Sequence, residues 1–588
     1  MSIDVDVADD FSSWRDSALS TTQPSQAEFL NGRAWNSAYT PEETLVILRD
    51  LARCSFNNAG YRGQVANMLL DTGYYSALVD VKLDYSSPNL RVDELVSMRQ
   101  GLAFFQKWES LDLGLDKEAV AFANFTECEE RCRQTNTAWR TMFYDRKSYD
   151  RELWQVLWLA ADKISRALGP VPSLEDLDFS FGPGANTSVA GRASSPRFKL
   201  GAPLACSKEL VNSVSVLLSE MPAWCSIHAL EDDNECCESF TVPVEIHTGR
   251  LQFVPKNAKT YRSIVVEPIL NSVAQKGIGK LLKSRLRSVG VDLSDQSVNQ
   301  RLAQAGSLLA LEGGIQIATV DKSSASDMIS KEVVSWLLGP DWFSFLSRFR
   351  TGTVSYQGTT IELEKFSSMG NAFTFELESL LFWSLASACK DIRQSLAPIS
   401  VYGDDVIIGV DALDLYKRAA TLCGFVVNEE KSFASGYFRE SCGKDYYKGF
   451  DIRPSYVKDN LSQQRLFSLH NFFIRSFDFR MAREVLKWIP APIRLWGPDG
   501  YGDGHLVGPY NPVRRAGSIL RGYEGHTFDT YTLKPKRVHA RRVIPGDRVL
   551  PAYSIYMRGE EPNDNLTDHF VVRGDAGVKR VSIYTLQL

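Results

Sequence analysis

The sequence predicts an α+β protein built from several subdomains. Three observations predict it: a chain far longer than one domain, helical spacing of apolar residues through the first 170 positions, and short β-like runs separated by turn residues from about residue 251 onward. At 588 residues the chain is several times the ~150-residue domain prior, so subdomains sharing clefts are expected. Hydrophobic residues make up 44% and charged residues 23%, ordinary globular usage that excludes collagen-like, coiled-coil and wholesale disordered classes. The formal charge is −5, so any polyanion must be held by a local basic surface.

Taken in chain order, the first ten residues carry four Asp and no cation, the wrong chemistry for an export signal. Leu153, Val156, Leu157, Ala160, Ile164 and Leu168 recur at helical spacing until Gly169 and Pro170 stop the run. Residues 181–188 form a Gly/Pro loop able to cradle a phosphate, though such loops are most often turns. Between Arg250 and Arg301 ten cations stand against three carboxylates. A solvated helix face accounts for those from Lys276 to Arg287. Lys256, Lys259 and Arg262 instead follow a strand-like run and a proline, where one loop can aim all three at one polyanion. The apolar stretch 380–389 is about half of the ~20 residues a membrane span needs, so none is predicted. Ten cysteines, with Cys128/Cys132 and Cys236/Cys237 outside zinc-ribbon spacing, point to reduced thiols in a cytosol.

The sharpest feature is Val401-Tyr-Gly-Asp-Asp-Val-Ile-Ile408, two apolar runs about a Gly-Asp turn, which reads as a hairpin with Asp404 and Asp405 at its tip. Two carboxylates about 4 Å apart repel by roughly 4 kcal/mol at an effective dielectric of 20, so both stay ionised in a cleft only with a cation between them. Asp321 ends a second strand-like run, 315–320, and supplies a third oxygen donor. Three such groups suit two octahedral Mg²⁺ ions, with Mn²⁺ or Ca²⁺ able to substitute, for in-line nucleotidyl transfer. A solvated turn and a helix N-cap are the bland readings of these aspartates. The Ser/Gly loop 366–374 before a helix suits gripping a template backbone through Ser367, Ser368 and Gly370. Lys431 closes the segment 423–431, where it can protonate departing pyrophosphate. Tyr501-Gly-Asp-Gly504 shares letters with the hairpin but lacks paired apolar strands and reads as a structural loop. The basic C-terminal stretch Lys534, Lys536, Arg537, Arg541, Arg542 and Arg548 can track RNA or be solvated surface.

In this order the motifs resemble those of the RNA-phage (levivirus, Qβ-type) replicase catalytic subunits. The matching residues are Val254-Pro-Lys-Asn-Ala-Lys-Thr-Tyr-Arg262 with Glu267-Pro268, Asp292 to Arg301, Thr319-Val-Asp-Lys-Ser-Ser-Ala-Ser-Asp327, Ser367-Ser-Met-Gly-Asn371, Phe373 to Ser379, Tyr402-Gly-Asp-Asp405 and Phe438 to Gly443. About 200 central residues are densely covered. The resemblance implies a right-hand polymerase with an antiparallel β-sheet palm and mostly helical surroundings, copying single-stranded phage RNA from nucleoside triphosphates in a bacterial host cytoplasm. It implies metal on Asp321, Asp404 and Asp405, the incoming triphosphate on Lys256, Lys259 and Arg262, and the ribose side on Asp327 and Asn371. Host elongation factors Tu and Ts and an RNA-binding ribosomal protein are implied as partners, with no membrane. Expected boundaries are a helical region bridging to the thumb at 1–100, fingers at 101–318 with the basic loop 250–268, palm at 319–455, and thumb and C-terminal region at 456–588. Glu378 replaces an Asn of wider viral polymerases and receives no role. Lys322 stands where the family is apolar, and by strand alternation it faces away from Asp321. The rivals are a reverse transcriptase-like polymerase and a non-enzymatic RNA-binding protein on a degenerate palm. Asp327, able to accept a 2′-hydroxyl hydrogen bond, favours ribose.

Overall fold

A computed structural model describes residues 35–85, 90–142, 150–190, 194, 196–230, 241–512, 525–537, 549–556 and 571–585. The N-terminal acidic residues, Cys236, Cys237, Arg541, Arg542 and Arg548 lie outside them. At the centre is a three-stranded antiparallel sheet with Asp405–Gly409 between Ile317–Val320 and Ser400–Tyr402. Val406 stands opposite Val320 and Val401, and Ile407 opposite Thr319 and Ser400. Period-two alternation divides the apolar residues between two cores. Ile317 and Ile407 pack with Ala303 of the Ser297–Glu312 helix, while Ala318, Val320, Val406 and Ile408 join the large core on the other face. Covered on both sides, these strands read as continuous apolar runs.

The helix on the large-core side, Thr374–Arg393, is buried from Leu377 to Cys389 without a polar stripe, as a helix surrounded by protein requires. The expected helix at 153–168 is present as Arg151–Leu168. It is capped by the Asp150 carboxylate and ended by Gly169 at φ +62, and its apolar stripe enters the same core.

The basic segment is a hairpin, Gly249–Pro255 with Tyr261–Val266. Its sheet is completed by Thr353–Tyr356, parallel to Gly249–Pro255 with Val354 opposite Gly249, and by Thr359–Glu362. Residues 353–362, expected within the palm range, therefore pair with strands expected in the fingers.

The helices Pro41–Phe56 and Val92–Gln106 share a second core with residues 457–507, where Leu48, Leu51 and Phe56 cluster with Leu466, Phe467 and Val485. A two-stranded ribbon, His526–Arg537 with Val571–Thr585, follows. The 501–504 loop is structural: Asp503 accepts from Asn471 at 3.0 Å and pairs with Arg475 at 3.0 Å. Among the described residues no helix is long and apolar enough to cross a membrane.

Candidate functional site

The hairpin forms as its residues dictate. Tyr402 pairs with Asp405, leaving Gly403 and Asp404 as a two-residue turn. Gly403 has φ +62, and a Cβ there would lie 2.4 Å from the Phe375 ring, so only glycine fits the left-handed turn against the Thr374–Arg393 helix. Its N–H donates to the Ser379 hydroxyl at 3.0 Å, fixing the tip.

Asp321 leaves the neighbouring strand beside this turn. Residues 426–432 are sutured along it: Val427 pairs with Lys322, the Asn428 N–H donates to the Asp321 carbonyl at 3.0 Å, and Asn428 Nδ2 donates to Asp321 Oδ2 at 3.2 Å. The same pairing brings Lys431 Nζ to 3.9 Å from Asp321 Oδ2. Asn428 sits within a segment in which the sequence pointed only to Lys431.

These residues line a cavity of about 380 Å³. Asp321 and Asp404 line it together with Lys256, Arg262, Lys431 and Asp327. Burial pushes the Asp321 carboxyl up to about 6, with Asp404 adding to the rise and Lys431 opposing it. Burial and then Asp404 push Asp405 up to about 7. Asp405 does not line the cavity. Its Oδ2 accepts the Cys442 N–H at 3.0 Å, from a turn in which Cys442 takes φ +47. Among the described residues no three His, Cys, Asp or Glu side chains converge on one metal-holding point. The donors nonetheless fit a hard divalent ion: they are carboxylate oxygens at one hairpin and one strand end, and Asp321 and Asp405 are raised first by burial and then by Asp404 nearby, a repulsion that a cation removes. Asp321 and Asp404 line one cavity, while Asp405 is held outside it by the Cys442 N–H.

Lys322 reaches beneath the hairpin. Its ammonium donates to the Asp404 carbonyl at 2.9 Å and lies 4.0 Å from the Phe382 ring centroid. Burial lowers its pKa to about 7, against the pull of Asp404, Asp405 and Asp321. Glu378 accepts from Ser326 Oγ at 2.7 Å, and burial raises it to about 8.

The other expected residues divide. Burial, reinforced by Arg262 and Lys431, lowers the pKa of Lys256. Lys259 turns out of the cavity and pairs with Asp80, because Asn257 Oδ1 accepts the N–H groups of Lys259 and Thr260 and curls the loop. Ser367, Ser368, Gly370 and Asn371 lie behind the cavity wall, which this loop meets through Met369. Gly370 is required there, since at φ +115 a Cβ would sit 2.1 Å from the Val265 carbonyl oxygen. The Ser367 and Ser368 hydroxyls and the Asn371 Nδ2 are buried without a hydrogen-bond partner in this conformation, so the loop holds polar atoms unspent.

Residues 65–477 match the family model described as RNA replicase, beta-chain. The chain is 36% identical over 419 residues to the RNA-directed RNA polymerase subunit beta of Escherichia virus Qbeta, covering 68% of this chain and 67% of that one. It is 35% identical over 417 residues to the corresponding protein of Enterobacteria phage SP, covering 68% and 69%. Over 211 residues it is 46% identical to the RNA-directed RNA polymerase beta chain of Escherichia phage MS2, covering 35% of this chain and 38% of that one.

Proposed function

The chain belongs to the RNA replicase, beta-chain family and is an RNA-directed RNA polymerase, and from that premise we propose how its residues divide the work. Asp321, Asp404 and Asp405 hold two Mg²⁺ ions on a palm formed by the central sheet, within a right hand whose fingers carry the basic hairpin. When bound, the ions activate the attacking 3′-hydroxyl and stabilise the charge on the leaving pyrophosphate. Lys256 and Arg262 bind the triphosphate. Asp327 faces the ribose, and Lys431 gives a proton to the departing pyrophosphate. Lys259 and Asn371, with Ser367, Ser368 and Gly370, act from the second layer or after their loops move onto RNA.

The observation that carries this reading is one cavity lined by Asp321, Asp404 and Asp327 together with the cations Lys256, Arg262, Lys322 and Lys431. An anionic substrate bridging those two sets is held by opposite charges at its phosphates and metal at its reacting atoms.

The template is single-stranded phage RNA, copied in the bacterial host cytoplasm, with elongation factors Tu and Ts and an RNA-binding ribosomal protein as partner subunits. The range 1–100 bridges to a thumb within 456–588, 101–318 supplies fingers, and 319–455 supplies palm, apart from strands 353–362. Labelled nucleotide incorporation on a short cytidine-ended RNA, with and without those factors, tests the assignment. Incorporation of deoxyribonucleotides at ribonucleotide rates would move it to the reverse transcriptases, and none under any condition to a binding protein.

A further inference from the structure

Behind Asp327 lies a buried cation that the proposed chemistry leaves unused. The Lys365 side chain is 1% exposed, and its ammonium stands 2.8 Å from Asp327 Oδ1 and 3.4 Å from Glu129 Oε1. It also lies 4.2 Å from the Phe125 ring centroid. Burial alone lowers such an ammonium's pKa, but Asp327 and Glu129 more than offset it and hold the group charged.

The lysine is anchored as well as paired. Glu129, on the Lys117–Met142 helix, accepts the Glu364 N–H at 2.5 Å and the Lys365 N–H at 3.4 Å through its other oxygen. Lys365 also bridges Ser330 through its backbone. Its ammonium is thus brought to Asp327 from a fixed stem.

The two oxygens of Asp327 are thereby made unequal. Oδ1 is committed to Lys365. Oδ2 meets the Ser263 hydroxyl at 3.3 Å, and Ser263 and Asp327 both line the cavity. An incoming sugar is offered the remaining acceptor capacity of Oδ2 beside Ser263, in an orientation that a swinging carboxylate would not keep.

We propose that Lys365 is the positioning residue for sugar discrimination: by holding Asp327 Oδ1 it presents Oδ2 to the 2′-hydroxyl of an incoming ribonucleotide. The inference rests on the reading of Asp327 as the ribose contact. Without the ammonium, the Asp327 and Glu129 carboxylates repel across the space it occupied. Asp327 then swings away from the orientation Lys365 held, and the placed acceptor is lost.

The test compares kcat/KM for ATP and dATP on one RNA template in the wild type and in Asp327→Ala, Lys365→Met, Glu129→Gln and the double variant K365M/E129Q, each checked for folding by circular dichroism. A hydrogen bond to a charged acceptor sets the scale, so Lys365→Met is expected to lower the preference for ATP by about 10- to 100-fold. The loss should fall on the KM for ATP, with dATP little changed, whereas a general loosening of the site would slow both. Glu129→Gln keeps the closer Lys365–Asp327 pair and an amide oxygen able to accept the backbone N–H groups, and should lower selectivity less than Lys365→Met does. The double variant removes the ammonium with one of its carboxylates and is measured where the single lysine variant does not fold. Wild-type selectivity in either folded lysine variant, with Asp327→Ala impaired, overturns the role of Lys365 alone. Wild-type selectivity in Asp327→Ala overturns the ribose reading and this inference with it.

Discussion

Replacing Lys431 by leucine separates catalysis from stability more cleanly than any other substitution at this site. The ammonium lies 3.9 Å from Asp321 Oδ2 with its side chain 59% exposed. As an ion pair at that exposure it is worth roughly 0.2–1 kcal/mol, so the urea midpoint should barely move. As the acid that protonates pyrophosphate it should be worth about 10²- to 10⁴-fold, or roughly 2.7–5.4 kcal/mol of barrier. Lys431→Leu should therefore slow the single-turnover rate by orders of magnitude while template affinity and folding are kept. Lys431→Arg restores a positive charge but not a proton that leaves readily, and should rescue little of the rate. The pair gives a second readout. Lys431 holds down an Asp321 carboxyl that burial pushes up to about 6 in the metal-free protein, so without metal Asp321 should titrate at higher pH in the leucine variant and not in the arginine variant. Equal single-turnover rates for the three proteins would refute the assignment and leave Lys431 a surface charge.

Four further outcomes follow from the geometry. Asp404→Asn removes a carboxylate charge at the hairpin tip and should abolish metal-dependent synthesis while filter binding of RNA persists, because the basic hairpin is untouched; near-normal polymerisation contradicts the metal assignment. Arg262→Ala should raise the KM for all four triphosphates to a similar extent, since a phosphate contact carries no base information, and a base-selective defect argues against it. Gly403→Ala forces a side chain to φ +62 with its Cβ 2.4 Å from Phe375, and should cost about 1–3 kcal/mol in urea unfolding; an unchanged midpoint contradicts the packing. Metal-free stability should fall from about pH 6.5 to pH 8. Glu267, Glu376 and Asp405 are pushed to about 7 and Glu378 to about 8, chiefly by burial, so the folded state binds protons there that the unfolded chain has already released. Lys322, lowered to about 7, and Lys107, lowered to about 8, both chiefly by burial, oppose them as two groups against four. A thermal midpoint in chelator that rises across that window would reverse the sign.

Much of the centre is legible in the sequence because its signals are local. Two apolar runs around Gly403 specify the hairpin, and an aspartate at the end of a third run specifies the partner carboxylate. The remainder depends on residues distant in sequence. Lys365 is an unremarkable lysine until Glu129, 236 positions earlier, fixes its backbone. Asn428 becomes a partner of Asp321 only when Val426–Val427 pairs with Lys322–Ser323. Lys259 looks equivalent to Lys256 in a list of cations, but the turn at Asn257 sends it to Asp80. Strand alternation turns Lys322 from Asp321, yet both residues line the cavity. The destination of Lys322 under the Asp404 carbonyl depends on Phe382, on another element. A linear boundary likewise cannot anticipate that residues 353–362 pair with Gly249–Pro255, because a parallel partner leaves no turn signature between them.

The core shared by the N-terminal helices and residues 457–507 has a consequence for how the molecule comes into being. Gln463 and Tyr39, hydrogen-bonded in the finished protein, are 424 positions apart. At ~5–20 residues per second a ribosome needs about 20–80 s to make the intervening chain. Through that interval the apolar faces of Pro41–Phe56 and Val92–Gln106 are in the cell without Leu466, Phe467 and Val485 to cover them. The central sheet, whose strands all emerge by residue 409, can assemble first. Closure of the two ends is then a late, long-range step, and a nascent chain halted before about residue 460 carries every proposed catalytic carboxylate while its first helices still wait for their partner.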